Sequence, residues 1–405
     1  MSDAWQTVDI DSDIDSARSR HTGRRSAVTV TGNHVVVGTA VGTVVAYDRW
    51  TLEERWRVES DAEAAVVSIA SFADSVVVGE RSATGAIRAH DLDTGTVRWQ
   101  YAAATDVGEP RKRTRFFLPF VVDLVTDDVR VYAAVRRYER DDERRSFSSA
   151  VYAFDADGAI AWIHETDASP ISVAVRDDRV AVAYNRCPGE HDSGLVVLDA
   201  EDGMIRYRWD PPADGQRRVG DVSLLDTGAV VTSHADHRGY RIGPDGMEWG
   251  VALAIPTEID GETVYAYPNH VHATHDGAVF VTGNTYPEVG RETTVLHPEE
   301  HTAIGVSPDG SREWSASVGG FATELATAAD RVAVPSAQQF RTRDPGVHGL
   351  SVFNVATDTI TSHQTTGIAT AVALNSETIA AVEEPVVYHE EDQRRGAYRL
   401  LVGSL

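Results

Sequence analysis

Residues 64–101 read AAVVSIASFADSVVVGERSATGAIRAHDLDTGTVRWQY. The stretch parses as four short strands. A first strand ends at a polar turn, VVVGE follows, a loop leads to AIRAHDL, and the turn DTG opens onto TVRWQY. Alternating β-branched residues argue for strands, and Asp and Gly punctuate the turns.

The same order recurs along the chain. First strands begin near Ser26, Ala64, Val121, Pro170, Val219, Val271, Phe321 and Ile368. Second strands read VVVGT, VVVGE, VYAAV, VAVAY, AVVTS, VFVTG, VAVPS and IAAVE. The spacing predicts units at 26–60, 64–101, 120–165, 170–210, 218–252, 270–318, 321–364 and 367–405 within one domain spanning 1–405. The turn between third and fourth strands is the most regular element: DRWTLEERW (48–56), DLDTGTVRW (91–99), DADGAIAW (155–162), DAEDGMIRYRW (199–209), GPDGMEW (243–249) and SPDGSREW (307–314). Gly or Asp at its tip supplies the geometry of a tight hairpin. Trp56, Trp99, Trp162, Trp209, Trp249 and Trp314 close these units. The seventh, NVATDTITSH (354–363), has Ser362 at that position.

The eighth unit ends at YRLLVGSL without a fourth strand, whereas WQTVDI (5–10) reads as a fourth strand without its first three. Pairing Trp5–Ile10 with Tyr398–Leu405 would close a ring and remove the exposed sheet edges. Seven of the eight tryptophans, Trp5 included, then share one repeat position, with Trp50 the exception. A stacking or quinone platform is one reading of such a series. Packing between repeats is the expected one, because large aromatics dominate such cores.

The form D-x-x-T-G-x-x-x-W, in units of about 50 residues, resembles the pyrroloquinoline-quinone-type β-propeller repeat, and the architecture looks like the eight-bladed propellers of the BamB family. Asp91–Trp99 matches the motif fully and the other copies match in part. The resemblance spans essentially the whole chain. It implies an all-β, eight-bladed β-propeller of four-stranded blades. It implies little about function, since propellers host many activities. Quinoprotein dehydrogenases of this superfamily hold their cofactor with an adjacent cysteine pair, calcium-binding carboxylates and a catalytic Asp. Cys187 is the sole cysteine, and no acidic cluster matches the calcium site, so pyrroloquinoline quinone is not expected and no cofactor is predicted. The BamB role requires a secreted lipoprotein. MSDAWQTVDIDSDIDSARSR carries acids where a signal peptide carries positive charge, and no lipobox cysteine follows. Arg24-Arg25 precede SAVTVTGNHVVVG, which alternates as a strand. The expectation is a cytoplasmic protein, and no run approaches the ~18 apolar residues of a membrane helix.

Lys+Arg is 37 and Asp+Glu is 62, for a net charge of −25. Lys112 is the only lysine. A carboxylate-dense surface suits a cytoplasm at molar salt, where the Debye length falls to ~3 Å. The composition resembles that of extreme halophiles, haloarchaea in particular. Acidity so explained describes the solvent, not a basic partner.

Against this background RKRTRFF stands out: Arg111, Lys112, Arg113, Arg115, Phe116 and Phe117. RRYERDDERRSF (136–147) adds Arg136, Arg137 and Tyr138. Both lie among the expanded segments 102–120, 136–147, 185–194, 254–270, 284–302, 337–349 and 383–396. These join second to third strands or successive repeats, whereas first-to-second and third-to-fourth turns stay short. Insertions concentrated on one face of a repeat protein mark its binding face. Phe340, Arg341, Tyr265, Tyr267, Tyr286 and Tyr388 also fall there, and aromatics with Arg are the residue types enriched at interface hot spots.

Histidines offer a second, weaker site. His270 and His272 in NHVHATHDG lie two apart and share a strand face. A metal would need a third ligand from His275, His234 or His237. No phosphate-loop motif and no nucleophile elbow is present.

Three readings follow. The leading one is a non-enzymatic scaffold that binds a partner protein, of unknown identity, through the long-loop face. The second is a ligand- or metal-binding enzyme at the channel mouth near His270, His272 and His275. The third is an anion or nucleic-acid binder using 111–117, which high salt and net acidity disfavour.

Overall fold

The computed structural model describes residues 5–18, 23–60, 64–142, 144–337, 339, 341–357, 360–388 and 393–405. The chain divides into two compact units: residues 1–14, 24–210 and 400–405, and residues 15–23 and 211–399. Both are built of antiparallel strands. The helical exceptions among the described residues are Ala104–Val107 and the 3-10 turn Pro345–Val347.

In the first unit, Ala27–Val30, His34–Gly38, Val44–Asp48 and Glu54–Val58 form one four-stranded meander. Ser169–Arg176, Arg179–Arg186, Leu195–Asp199 and Ile205–Trp209 form another. Between them lies an eight-stranded sheet. It consists of the meanders Ala65–Phe72 to Val97–Ala102 and Phe120–Thr126 to Ile160–Thr166, joined where Phe120 pairs with Arg81. The strand Gln6–Asp9 lies beside Arg399–Ser404, and a Cβ on Gly403 would stand 2.9 Å from the Trp5 ring.

The second unit repeats the plan. Val219–Leu224, Ala229–Ser233, Arg238–Gly243 and Gly246–Ala252 form one sheet. Thr257–Ile259, Glu262–Thr274, Gly277–Pro287, Thr302–Val306 and Arg312–Ser317 form a five-stranded one. Ala326–Ala328, Arg331–Ser336, Gly349–Asn354 and Ile360–Gln364 follow, and Ile368–Leu374 pairs with Thr378–Glu384.

Burial grades across each meander. Second and third strands such as His34–Gly38 and Val44–Asp48 are buried throughout. The fourth strand Val97–Ala102 alternates exposed and half-buried residues, as a strand with one wet face does. The cores form between consecutive repeats. One joins Val77 and Ile87 to Tyr152 and Phe154, and the next joins Tyr132 and Val151 to Tyr184 and Leu198. In these clusters each repeat shares its core with the next, so stability requires neighbours.

Two devices register successive repeats. Most first strands carry a one-residue bulge, as at Val66/Ser68, Val121/Asp123 and Val219/Asp221. Beside it a carboxylate accepts the backbone N–H of the next first strand, Asp123 from Val173 (2.8 Å) and Asp221 from Val271 (2.8 Å), and Glu324, ahead of the unbulged strand Ala326–Ala328, does the same for Val372 (2.9 Å). The tryptophans supply the second device. Trp56 donates to the Leu92 carbonyl (2.7 Å), Trp99 to Ala156 (3.2 Å), Trp162 to Ala200 (3.0 Å) and Trp249 to Pro308 (3.0 Å). Each acceptor lies in the following repeat's hairpin turn. Each ring also covers that turn's glycine: Gly95, Gly158, Gly203 and Gly310. Trp314 stacks on Phe353 of the next repeat at 5.6 Å. Packing between repeats is therefore the work of this series, while Trp50 stands 54% exposed.

Several expected loops are strands. Val131–Asp141 and Arg144–Phe154 pair as far as Asp141↔Arg144, so most of 136–147 is a hairpin extension. The sixth repeat's first strand begins at Glu262, not near Val271, and its second runs to Pro287. Alternation continues through ETVYAYPNH, and the partner strand supplies the pairing that makes it a strand. In the seventh repeat the first strand shrinks to Ala326–Ala328.

Candidate functional site

The extended hairpin of the third repeat supports the basic segment. Ala104–Val107 forms a single turn held by Asp106, which accepts from the hydroxyls of Tyr101 (2.6 Å) and Tyr152 (2.8 Å). Gly108 ends the turn at φ +84. Arg137 donates from Nε to the Val107 carbonyl (2.5 Å) and pairs with Glu139. The Arg111 amide approaches the same Glu139 carboxylate at 3.4 Å.

Beyond this anchor lies an aromatic row. Phe117 packs on Tyr138 at 5.4 Å, and Tyr138 packs on the buried Phe147 at 5.4 Å. Lys112 reaches over the Phe117 ring at 5.1 Å and Arg115 over Phe116 at 4.8 Å. Arg111, Lys112 and Arg113 are exposed, and Phe116 is 58% exposed. An apolar ring held outward beside cations, on a support of packed aromatics, is the chemistry of an interface anchor.

The other predicted residues scatter. Arg136 turns away from this surface, donates to Ser169 Oγ and lies over Phe120. Arg341 clamps the carbonyls of Thr285 (2.8 Å) and Val295 (2.9 Å), a structural task. Phe340 lies outside the described residues.

The second unit has its own aromatic group on the extended sixth hairpin. Tyr265, Tyr267 and Tyr286 lie 5.3–6.1 Å apart, with His237 4.3 Å from Tyr265 and His234 4.8 Å from Tyr267. Arg217 covers Tyr267 at 4.4 Å. Burial pushes His237 down to about 4 and holds His234 well below the usual imidazole range.

The metal reading gathers no ligand set. His270 Nε2 faces the Ala322 carbonyl (3.2 Å) and His272 Nε2 faces Ala329 (2.9 Å), so both serve as donors to backbone. His275 points to solvent beside Asp276. Among the described residues no group of three His, Cys, Asp or Glu side chains is placed to hold an ion. Nor do the residues fit a quinone held in the manner the repeat's name implies. An adjacent cysteine pair is impossible with Cys187 as the sole cysteine, and its Sγ is directed at the Ser193 carbonyl at 3.7 Å.

Antiparallel repeats, most of them four-stranded and four of them sealed by a tryptophan over the next repeat's turn, define a β-propeller of pyrroloquinoline-quinone-like repeats. A family model described as outer membrane protein assembly factor BamB matches residues 7–139 and 147–395, and the chain belongs to that family. The chain is similar to solved BamB from Moraxella catarrhalis: 12% identity, TM-score 0.58, 99% of this chain and 98% of that one. It is similar to quinohemoprotein alcohol dehydrogenase ADHIIG from Pseudomonas putida HK5, at 9% identity and TM-score 0.63, over 98% of this chain and 75% of that one. The quinohemoprotein alcohol dehydrogenase from Comamonas testosteroni gives 10% identity and TM-score 0.57, over 96% and 75%. At such identities the likeness is one of fold. No curated protein sequence matches the chain. No helix among the described residues is long and apolar enough to cross a membrane.

Proposed function

We propose that this chain is a non-enzymatic interaction scaffold: one eight-bladed propeller, closed by its N-terminal strand, that binds a partner protein through the end of its sheets carrying the long hairpins. The observation that carries the reading is Phe116, displayed outward beside Arg115 on a base of Phe117, Tyr138 and Phe147. An exposed aromatic tends to collapse onto its own surface unless something holds it out, and here Arg137 and Glu139 fix the segment from below. Membership of a family described as an outer membrane protein assembly factor is consistent with a protein partner. Family membership does not carry that protein's membrane role to this chain. The acidic, lysine-poor composition supports a cytoplasm of high salt as the setting.

A photo-crosslinking residue placed at position 116 tests the reading. It should capture a discrete partner in concentrated KCl lysate, whereas the same residue at position 50, exposed in a turn at the opposite end of its sheet, should not. Equal capture at both positions would contradict it.

A further inference from the structure

Three arginines converge on one phenylalanine in the first unit. The guanidinium carbon of Arg81 stands 4.2 Å from the Phe120 ring centre, that of Arg136 5.4 Å and that of Arg24 5.9 Å. Backbone pairing builds the cluster, because Phe120 opens its strand opposite both Arg136 and Arg81. Arg24 donates to the Val122 carbonyl and Arg81 to the Arg24 carbonyl (3.2 Å). Arg136 donates to Ser169 Oγ.

Among the described residues no carboxylate lies within ion-pair distance of Arg81 or Arg136. The charges that act on Arg81 are Arg24, Arg136 and Arg115, and those on Arg136 are Arg24 and Arg186. Burial first, then these like charges, pushes Arg81 down to about 9 and Arg136 down to about 10. Elsewhere the same chain pairs arginine freely: Arg98 holds Asp74 and Asp91, and Arg206 holds Asp178 and Asp199. In a protein with net charge −25, an arginine cluster with acids kept away from two of its members is a specific arrangement. Desolvated like charges are costly unless an anion joins them.

We propose that Arg81, Arg136 and Arg24 form a binding site for the phosphate group of a small molecule. Each guanidinium carries five N–H donors, and only one is engaged at Arg81 and one at Arg136 in the bonds described here. The three side chains arrive from three different segments. A planar carboxylate satisfies one fork at a time, whereas a tetrahedral dianion presents oxygens in several directions and neutralises two charges. The Phe120 ring seats the guanidinium groups by cation–π contact and leaves their edges to the ligand. The three arginines are other residues than those of the Phe116 surface, although Arg115 lies near enough for its charge to act on Arg81.

Calorimetric titration with inorganic pyrophosphate at one fixed, molar KCl concentration tests the proposal. Saturable binding to the full chain is expected, with Arg81→Gln and Arg136→Gln each weakening it at least about ten-fold, or ~1.4 kcal/mol. Arg55→Gln, which alters a surface pair with Asp48, should bind as the parent does. Where a glutamine variant fails to fold, Arg81→Lys keeps the charge and removes the fork, and the same loss is expected. No saturable binding, binding unchanged in the variants, or equal affinity for citrate would overturn the phosphate assignment.

Discussion

The indole N–H of Trp56 donates to the Leu92 carbonyl at 2.7 Å, and its ring lies where a Cβ on Gly95 would stand, 2.7 Å from the nearest ring carbon. Gly95 has φ +74, so its place is required twice, by backbone and by packing. Gly261 has a similar φ, +82, with nothing within 4 Å of its missing Cβ. Gly261→Ala should cost only the left-handed strain, about 1–2 kcal/mol. Gly95→Ala should lose a further ~1–3 kcal/mol from overpacking. Denaturation midpoints of the two variants check the difference, and equal losses would show that the ring yields without cost.

Removing residues 1–12 should destabilise the whole molecule. Trp5 packs against Gly403 and the strand Gln6–Asp9 covers Arg399–Ser404. Its loss bares a sheet edge and the surface covered by a tryptophan of roughly 150–250 Å². The truncated protein should melt well below the parent. A midpoint within about two degrees of it would contradict ring closure, since ~1 kcal/mol shifts a chain of this size by a few degrees.

Acid should weaken the second unit through its buried imidazoles. His237 is pushed down to about 4 and His234 well below 6.5, first by burial and then by neighbours that include Arg217. In the unfolded chain both titrate near 6.5. Between pH 6.5 and 4 the unfolded state therefore takes up protons that the folded state refuses, and stability falls as pH falls. The slope is up to ~1.4 kcal/mol per pH unit per histidine. His237→Gln should flatten the stability–pH profile across that window. An unchanged slope would mean that His237 protonates in the folded state.

The repeat was legible because its chemistry is local. Asp91, Gly95 and Trp99 sit within nine residues, and the structure shows why: Asp91 Oδ1 accepts from the amides of Asp93 and Thr94 to shape the turn. Gly95 then leaves room for Trp56. The hairpin extensions at 136–147 and 262–267 were not legible, since charged or mixed strands gain their pairing from a partner strand. The exposed aromatic–basic segment was visible as a composition break at 111–117. The Phe120 cluster was hidden because Arg24, Arg81 and Arg136 are more than 50 residues apart in sequence. A signal did exist: Arg81, Arg136 and Arg186 each pair with the opening residue of their repeat's first strand, in three consecutive repeats. Arg137 and Arg341 read as binding residues by type, yet both are spent on backbone carbonyls.

Salt should set the stability of the fold. A net charge of −25 stores repulsion that unfolding relieves. At ~0.1 M KCl the Debye length of ~10 Å leaves much of it in force, and at ~3 M it is screened. Melting temperatures at ~0.1, ~1 and ~3 M should rise steeply, helped by stronger apolar burial. A flat series would sink the halophilic reading and reopen the acidity as a signal for a basic partner.

The partner-binding surface is the central claim, and quantitative co-purification tests it most directly. The full chain and a variant with alanine at Arg111, Arg113, Phe116 and Phe117 are compared as baits in the same high-salt lysate. Arg111 and Arg113 are exposed, Phe116 stands outward and Phe117 is half-buried against Tyr138 on the outer side of the row, so the variant should melt within a few degrees of the parent. The account predicts that proteins retained by the full chain are lost from the variant. Equal retention of every partner by a folded variant would contradict it.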